Sequence, residues 1–170
     1  MKCSVLTLVG ADQAGIVAAV TDALYKQGCN LAQASMMRLG ANFAIMLRVS
    51  HDENHDLRKV LSNICNDMNL HLHIDEDADT DGLRPDPDVQ VTVYGADRHG
   101  IVAQVTSALA MAGLNIIDLE TDIGGTKNDP IYIMTLEGLA TKGIESLQVA
   151  LDGLSSDIEV NLDEINTLRG

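Results

Sequence analysis

Hydrophobic and polar positions alternate along this chain in two rhythms, and the switches between them mark its elements. From Cys3 to Val9 the residues are short, apolar and β-forming, and Gly10 ends the run, so residues 3–9 are predicted to form a strand. Ile16, Val17, Val20 and Leu24 then fall on one face of a helix. Asp12 is placed to cap the first turn, and Gly28 to close the last one at positive φ. Residues 30–39 and 42–50 predict two strands joined at Gly40-Ala41-Asn42. Leu57, Leu61, Ile64 and Met68 recur at helical spacing. Leu70, Leu72 and Ile74 alternate with His71, His73 and Asp75, as in a half-buried strand. The order is β-α-β-β-α-β.

The second half writes that order again. Gly10-Ala11-Asp12-Gln13-Ala14-Gly15-Ile16-Val17-Ala18 returns 85 positions later as Gly95-Ala96-Asp97-Arg98-His99-Gly100-Ile101-Val102-Ala103. Val89–Val93 predicts a strand, and Ile101, Val102, Val105 and Leu109 a helix closed by Gly113. Residues 115–123 and 131–137 predict a hairpin whose loop, Gly124 to Pro130, is longer than its counterpart. Ile144, Leu147, Leu151 and Leu154 predict the second helix, and residues 158–165 the last strand. An internal repeat takes precedence over single-residue readings, because it sets the architecture. The fold class is therefore α+β: two tandem ferredoxin-like (βαββαβ) units, antiparallel sheets with their helices on one face. The boundaries are residues 1–77, a linker at 78–87 holding Gly82, Pro85 and Pro87, and residues 88–170.

Composition narrows the function. The 170 residues include no Trp, one Phe and three Tyr. The core must be aliphatic, and stacking on nucleobases is poorly supplied. The net charge of −14 is uneven: residues 1–87 carry −5 and residues 88–170 carry −9. Such a surface repels phosphate backbones and anionic lipid, so direct nucleic-acid or membrane partners are not expected. Cys3, Cys29 and Cys65 have no CxxC spacing, and Cys29 and Cys65 sit where buried, inert thiols belong. The start lacks a signal-peptide core and no apolar run reaches about 18 residues, so a cytoplasmic location is expected. Units this small gain by pairing, and a homo-oligomer, a dimer first, is expected.

The candidate chemistry sits in the repeated turn. Backbone N–H groups near Ala14, Gly15 and Ile16 precede any intrahelical acceptor and lie at the positive end of the helix dipole. A carboxylate fits there. Asn30, opening the next strand, offers a carbonyl to an ammonium and an N–H to a carboxylate. His99, Gly100, Ile101 and Asn115 repeat the set in the second copy. A capping Asp12 or Asp97 would occupy one N–H and repel the ligand, which predicts weak binding. Gly10-x4-Gly15 lacks the lysine and hydroxyl of a nucleotide-binding loop. His71 and His73 alternate on the polar side of their strand, and no set of three or four converging metal ligands is expected. No catalytic residue, metal or cofactor is predicted. Met36, Met37 and Met46 are read as core filler at strand spacing.

The turns from Asp12 to Val17 and from Asp97 to Val102 resemble ACT domains, a family of small regulatory modules. Gly28-x-Asn30 and Gly113-x-Asn115 extend the resemblance, which covers nearly the whole chain outside the linker. Two such units without an enzyme domain are similar to the glycine cleavage system transcriptional repressors, which act through another protein and not through DNA. A proline common in the turn is Ala14 in one copy and His99 in the other. The resemblance implies a non-enzymatic regulator that binds a small amino acid, glycine the first candidate, and modulates a transcription factor by protein contact. The ligand residues implied are Asp12, Ala14, Gly15, Ile16 and Asn30, with Asp97, His99, Gly100, Ile101 and Asn115. The alternatives are a regulatory subunit delivering amino-acid feedback to a metabolic enzyme, and an assembly scaffold without ligand.

Overall fold

A computed structural model describes residues 1–76, 86–96, 100–126, 129–154 and 158–165. The chain divides into two compact units, residues 1–83 and 84–170. The first holds β1 (Lys2–Ala11), α1 (Ile16–Lys26), β2 (Asn30–Leu39), β3 (Asn42–His51), α2 (Leu57–Asp67) and β4 (His71–Glu76). The second holds β5 (Val89–Ala96), α3 (Ile101–Met111), β6 (Leu114–Thr126), β7 (Asp129–Ala140), α4 (Ile144–Asp152) and β8 (Ile158–Glu164). The sheets are ordered β2-β3-β1-β4 and β6-β7-β5-β8, and every pairing is antiparallel. Both units have the ferredoxin-like topology. Of the expected linker, residues 78–85 lie outside the described residues.

Each core lies between the sheet and its two helices. In the first unit Leu6, Leu8, Phe43, Ile45, Leu47 and Val49 meet Ile16, Val20, Leu24, Leu57 and Leu61. Alternation along a strand and 3.6-residue spacing along a helix bring these side chains to one layer. Full burial of each is worth about 1.5–3 kcal/mol, before the entropy of ordering is counted. Val17, expected on the buried face, is partly exposed; it lies at the flank of the stripe that Ile16, Val20 and Leu24 complete.

Three expectations need correction. Asp12 does not cap α1. The N-cap is Gly15, with φ 92° and no side-chain hydrogen bond to the helix. Backbone N–H of Asp12 instead bonds Ala41 O at 2.8 Å, which holds it to the hairpin turn. The second hairpin does not place its additional residues in a loop: Gly124, Gly125 and Thr126 pair with Ile131, Pro130 and Asp129, lengthening both strands. Residues 127–128 lie outside the described residues. Met36, Met37 and Met46 are not core filler, being 55%, 61% and 47% exposed. Met36 and Met37 lie on an edge strand, exposed along its whole length, and Met46 faces away from the buried side of β3.

Candidate ligand site

The turn after β1 is built by one backbone requirement. Gly15 and Gly100 hold φ of 92° and 86°, a region that costs a residue with a Cβ about 1–2 kcal/mol. A Cβ at either would meet no atom within 4 Å, so the space before both turns is open. The helices begin directly behind them, with Ala19 N bonding Gly15 O and Gln104 N bonding Gly100 O, both at 2.9 Å. Helix geometry then leaves four N–H groups without intrahelical acceptors: Gly15 to Ala18 in one unit, Gly100 to Ala103 in the other. The unpaired amides thus start one residue later than Ala14.

Side chains arrange the first turn further. Asp12 pairs with Arg38 Nε at 2.9 Å, linking the turn to the end of β2. Gln13 Nε2 donates to Met68 O at 2.8 Å, which ties the turn to the C-terminal end of α2. Nothing local in the sequence marks Arg38 or Gln13 for these contacts, which join segments 26 and 55 residues apart. In the second unit, Ile123 opposite Tyr132 stands where Arg38 stands opposite Phe43. Asp97 and His99 lie outside the described residues.

Asn30 and Asn115 are not beside these turns. Asn30 pairs with Ser50, which faces Cys3 across β3 and β1, whereas the turn follows Ala11 at the other end of β1. Eight residues of strand separate the two ends, about 26 Å. Asn115, opposite Leu139, lies at the corresponding far end of its sheet. Within one unit, then, Gly15 and Ile16 join Asp12 and Arg38 but not Asn30.

Elsewhere, His51 is buried and its Nε2 lies 3.0 Å from Ser4 Oγ. Its Nδ1 lies 2.8 Å from Asp52 O and must donate there, so the Ser4 hydroxyl donates to Nε2. This Ser–His pair is sealed from solvent on both members and holds the end of the sheet. The Asp52 carboxyl is held below its ordinary range by the backbone and then the side-chain N–H of Asn54. Burial pushes the Cys29 and Cys65 thiols up, and all three cysteines are free. His73 faces Asp75 at 3.1 Å. Among the described residues no three His, Cys, Asp or Glu side chains converge as a metal site, and no helix is long and apolar enough to cross a membrane.

Models of the ACT domain match residues 3–75 and 89–141. A UPF0237 protein of Methanococcus maripaludis is 36% identical over 76 residues, 45% of this chain and 83% of that protein. An unknown protein from Galdieria sulphuraria superposes with a TM-score of 0.79 at 23% identity, covering 97% of this chain and 99% of that one. A structure carrying the provisional name of glycine cleavage system transcriptional repressor superposes with a TM-score of 0.73 at 19% identity, covering 98% of each chain.

Proposed function

We propose that this chain, which belongs to the ACT-domain family through both of its repeats, is a non-enzymatic regulator that binds a small amino acid at the turn before α1. The observation that carries the reading is the uncapped start of α1 behind Gly15, with the Asp12–Arg38 ion pair beside it. The four unpaired amides and the Arg38 guanidinium suit an α-carboxylate, and the Asp12 carboxylate suits an α-ammonium. A zwitterion entering there would exchange one exposed ion pair for two. Glycine is the first candidate, supported by the name of the repressor-like neighbour and by the open space before the turn.

Asn30 enters this site only from a second copy. If β2 strands of two chains pair antiparallel, the start of each lies opposite the end of the other, bringing Asn30 toward its neighbour's Arg38 and Asp12. Ligand and dimer would then stabilise each other, which is the coupling a sensor needs. The readout is contact with a protein, a transcription factor being the first candidate.

Calorimetry of the full chain against the twenty amino acids tests the reading. A dissociation constant in the micromolar to millimolar range, about −8 to −4 kcal/mol, is expected for one of them. Arg38→Met and Asn30→Ala are each expected to abolish the heat. Silence from all twenty removes the sensor. Capture of a metabolic enzyme, in place of a DNA-binding regulator, would move the partner to the feedback alternative.

A further inference from the structure

We propose that the helix-free face of the second sheet docks a cationic amphipathic α-helix presented by a partner protein. Strand register defines that face row by row. Asp122, Ile133, Tyr94 and Glu159 stand side by side across β6, β7, β5 and β8. Glu120, Thr135, Thr92 and Asn161 form the next row, and Asp118, Glu137, Gln90 and Asp163 the third. The edge strands are acidic rails, and the strip between them is apolar or neutral apart from Glu137, whose carboxylate accepts from Gln90 Nε2 at 3.0 Å. Ile131, 41% exposed, extends the strip at one end. These three rows carry six carboxylates and no Lys, Arg or His.

Dimensions and charge select the occupant. Three inter-strand spacings put the rails about 14 Å apart, close to the roughly 10–12 Å width of an α-helix with its side chains. Rows along a strand repeat every 6.7 Å or so, near the ~6 Å between helix residues four apart. Lysines or arginines flanking an apolar stripe would therefore meet Asp118, Glu120 and Asp122 along one side and Glu159 and Asp163 along the other. The other face of the same sheet already accepts two helices, α3 and α4, through its apolar positions. A second copy of this face is excluded as occupant by like charge, and a nucleic acid for the same reason. A single cation does not explain the rails, whose carboxylates are spaced too far apart along a strand to share an ion.

The first unit lacks the feature. At the same register positions its rows read Met37, Ala44, Val9, His71; Ser35, Met46, Thr7, His73; and Gln33, Arg48, Val5, Asp75. The docking face thus belongs to the second unit, and it needs no amino acid bound in the first.

The test uses the full chain without amino acid and a labelled synthetic peptide of about 18 residues, long enough to form a helix on contact. The peptide has a leucine stripe flanked by lysines, and its scrambled isomer has the same charge. Fluorescence anisotropy reads the affinity. Asp118→Asn/Glu120→Gln/Asp122→Asn is expected to weaken binding about tenfold, and Glu159→Gln/Asp163→Asn severalfold. Asp22→Asn/Asp67→Asn/Glu145→Gln, an equal charge change on the helices, is expected to stay within about twofold. Backbone chemical shifts are expected to move along β5 to β8. Equal weakening by the two triple variants, equally tight binding of the scrambled isomer, shifts confined to the first unit, or a preference for duplex DNA would each overturn the proposal.

Discussion

Leu6, Leu8, Leu47, Ile16, Val20 and Leu24 of the first unit occupy the positions of Val91, Val93, Leu136, Ile101, Val105 and Leu109 of the second, and all twelve are buried. On the other face of the sheets the agreement ends: Gln33, Ser35 and Met37 stand where Asp118, Glu120 and Asp122 stand. The difference separates what holds the fold from what the fold displays. A buried leucine is held in place by a cost of several kcal/mol for its loss. A solvated strand position away from special features changes stability by about half a kcal/mol or less in either direction. Duplication therefore preserved two cores while leaving two surfaces free to diverge, one nearly neutral and methionine-bearing, the other acidic.

The largest test of this contrast lies on the buried side, where one position is not equivalent. Gly138 stands at the place of Val49, and a Cβ there would lie 2.4 Å from Asn115 O. Gly138→Ala is expected to destabilise the second unit by about 1–3 kcal/mol or more while leaving the first unit's amide protection intact. Urea denaturation followed by hydrogen exchange checks this; unchanged stability would mean the β6–β7 backbones can part at no cost. The turns come next. Gly15→Ala and Gly100→Ala should each cost about 1–2 kcal/mol, and Asn in their place less, because it tolerates positive φ. Unequal costs would break the equivalence of the two turns. The smallest effect concerns the rails. Asp118 faces Glu137 directly, so Asp118→Asn is expected to stabilise the second unit by about 0.2–1 kcal/mol in thermal melts at low salt. High salt should erase the gain, and Gln33→Asp, set opposite Arg48, should show no matching loss.

Much of this is legible in the sequence. The twelve elements lie where the two hydrophobic periods put them, and Gly28 and Gly113 take the positive φ that closing a helix demands, at 70° and 92°. The misreadings share a cause. Asp12 had the chemistry of a cap, but Gly15 took that place, and an arginine 26 positions along the chain took its carboxylate. Asn30 follows α1 closely in sequence, which suggests a place beside its first turn; an 11-residue helix lies between, so it emerges at the opposite end of the sheet. Topology alone carried that signal, since β1 ends where β2 ends and not where β2 begins. Met36 and Met37 fit the strand period, and no periodicity tells an edge strand from a central one.

From the sequence alone came the order of the elements, the inward face of each helix and the glycines that must turn left, because these depend on neighbours within a few residues. The tertiary structure alone decided which strands form the edges, that Arg38 reaches Asp12, and that carboxylates from β6, β7 and β8 share one face. Those outcomes depend on pairing between segments tens of residues apart, where register, and not local preference, determines which side chains meet.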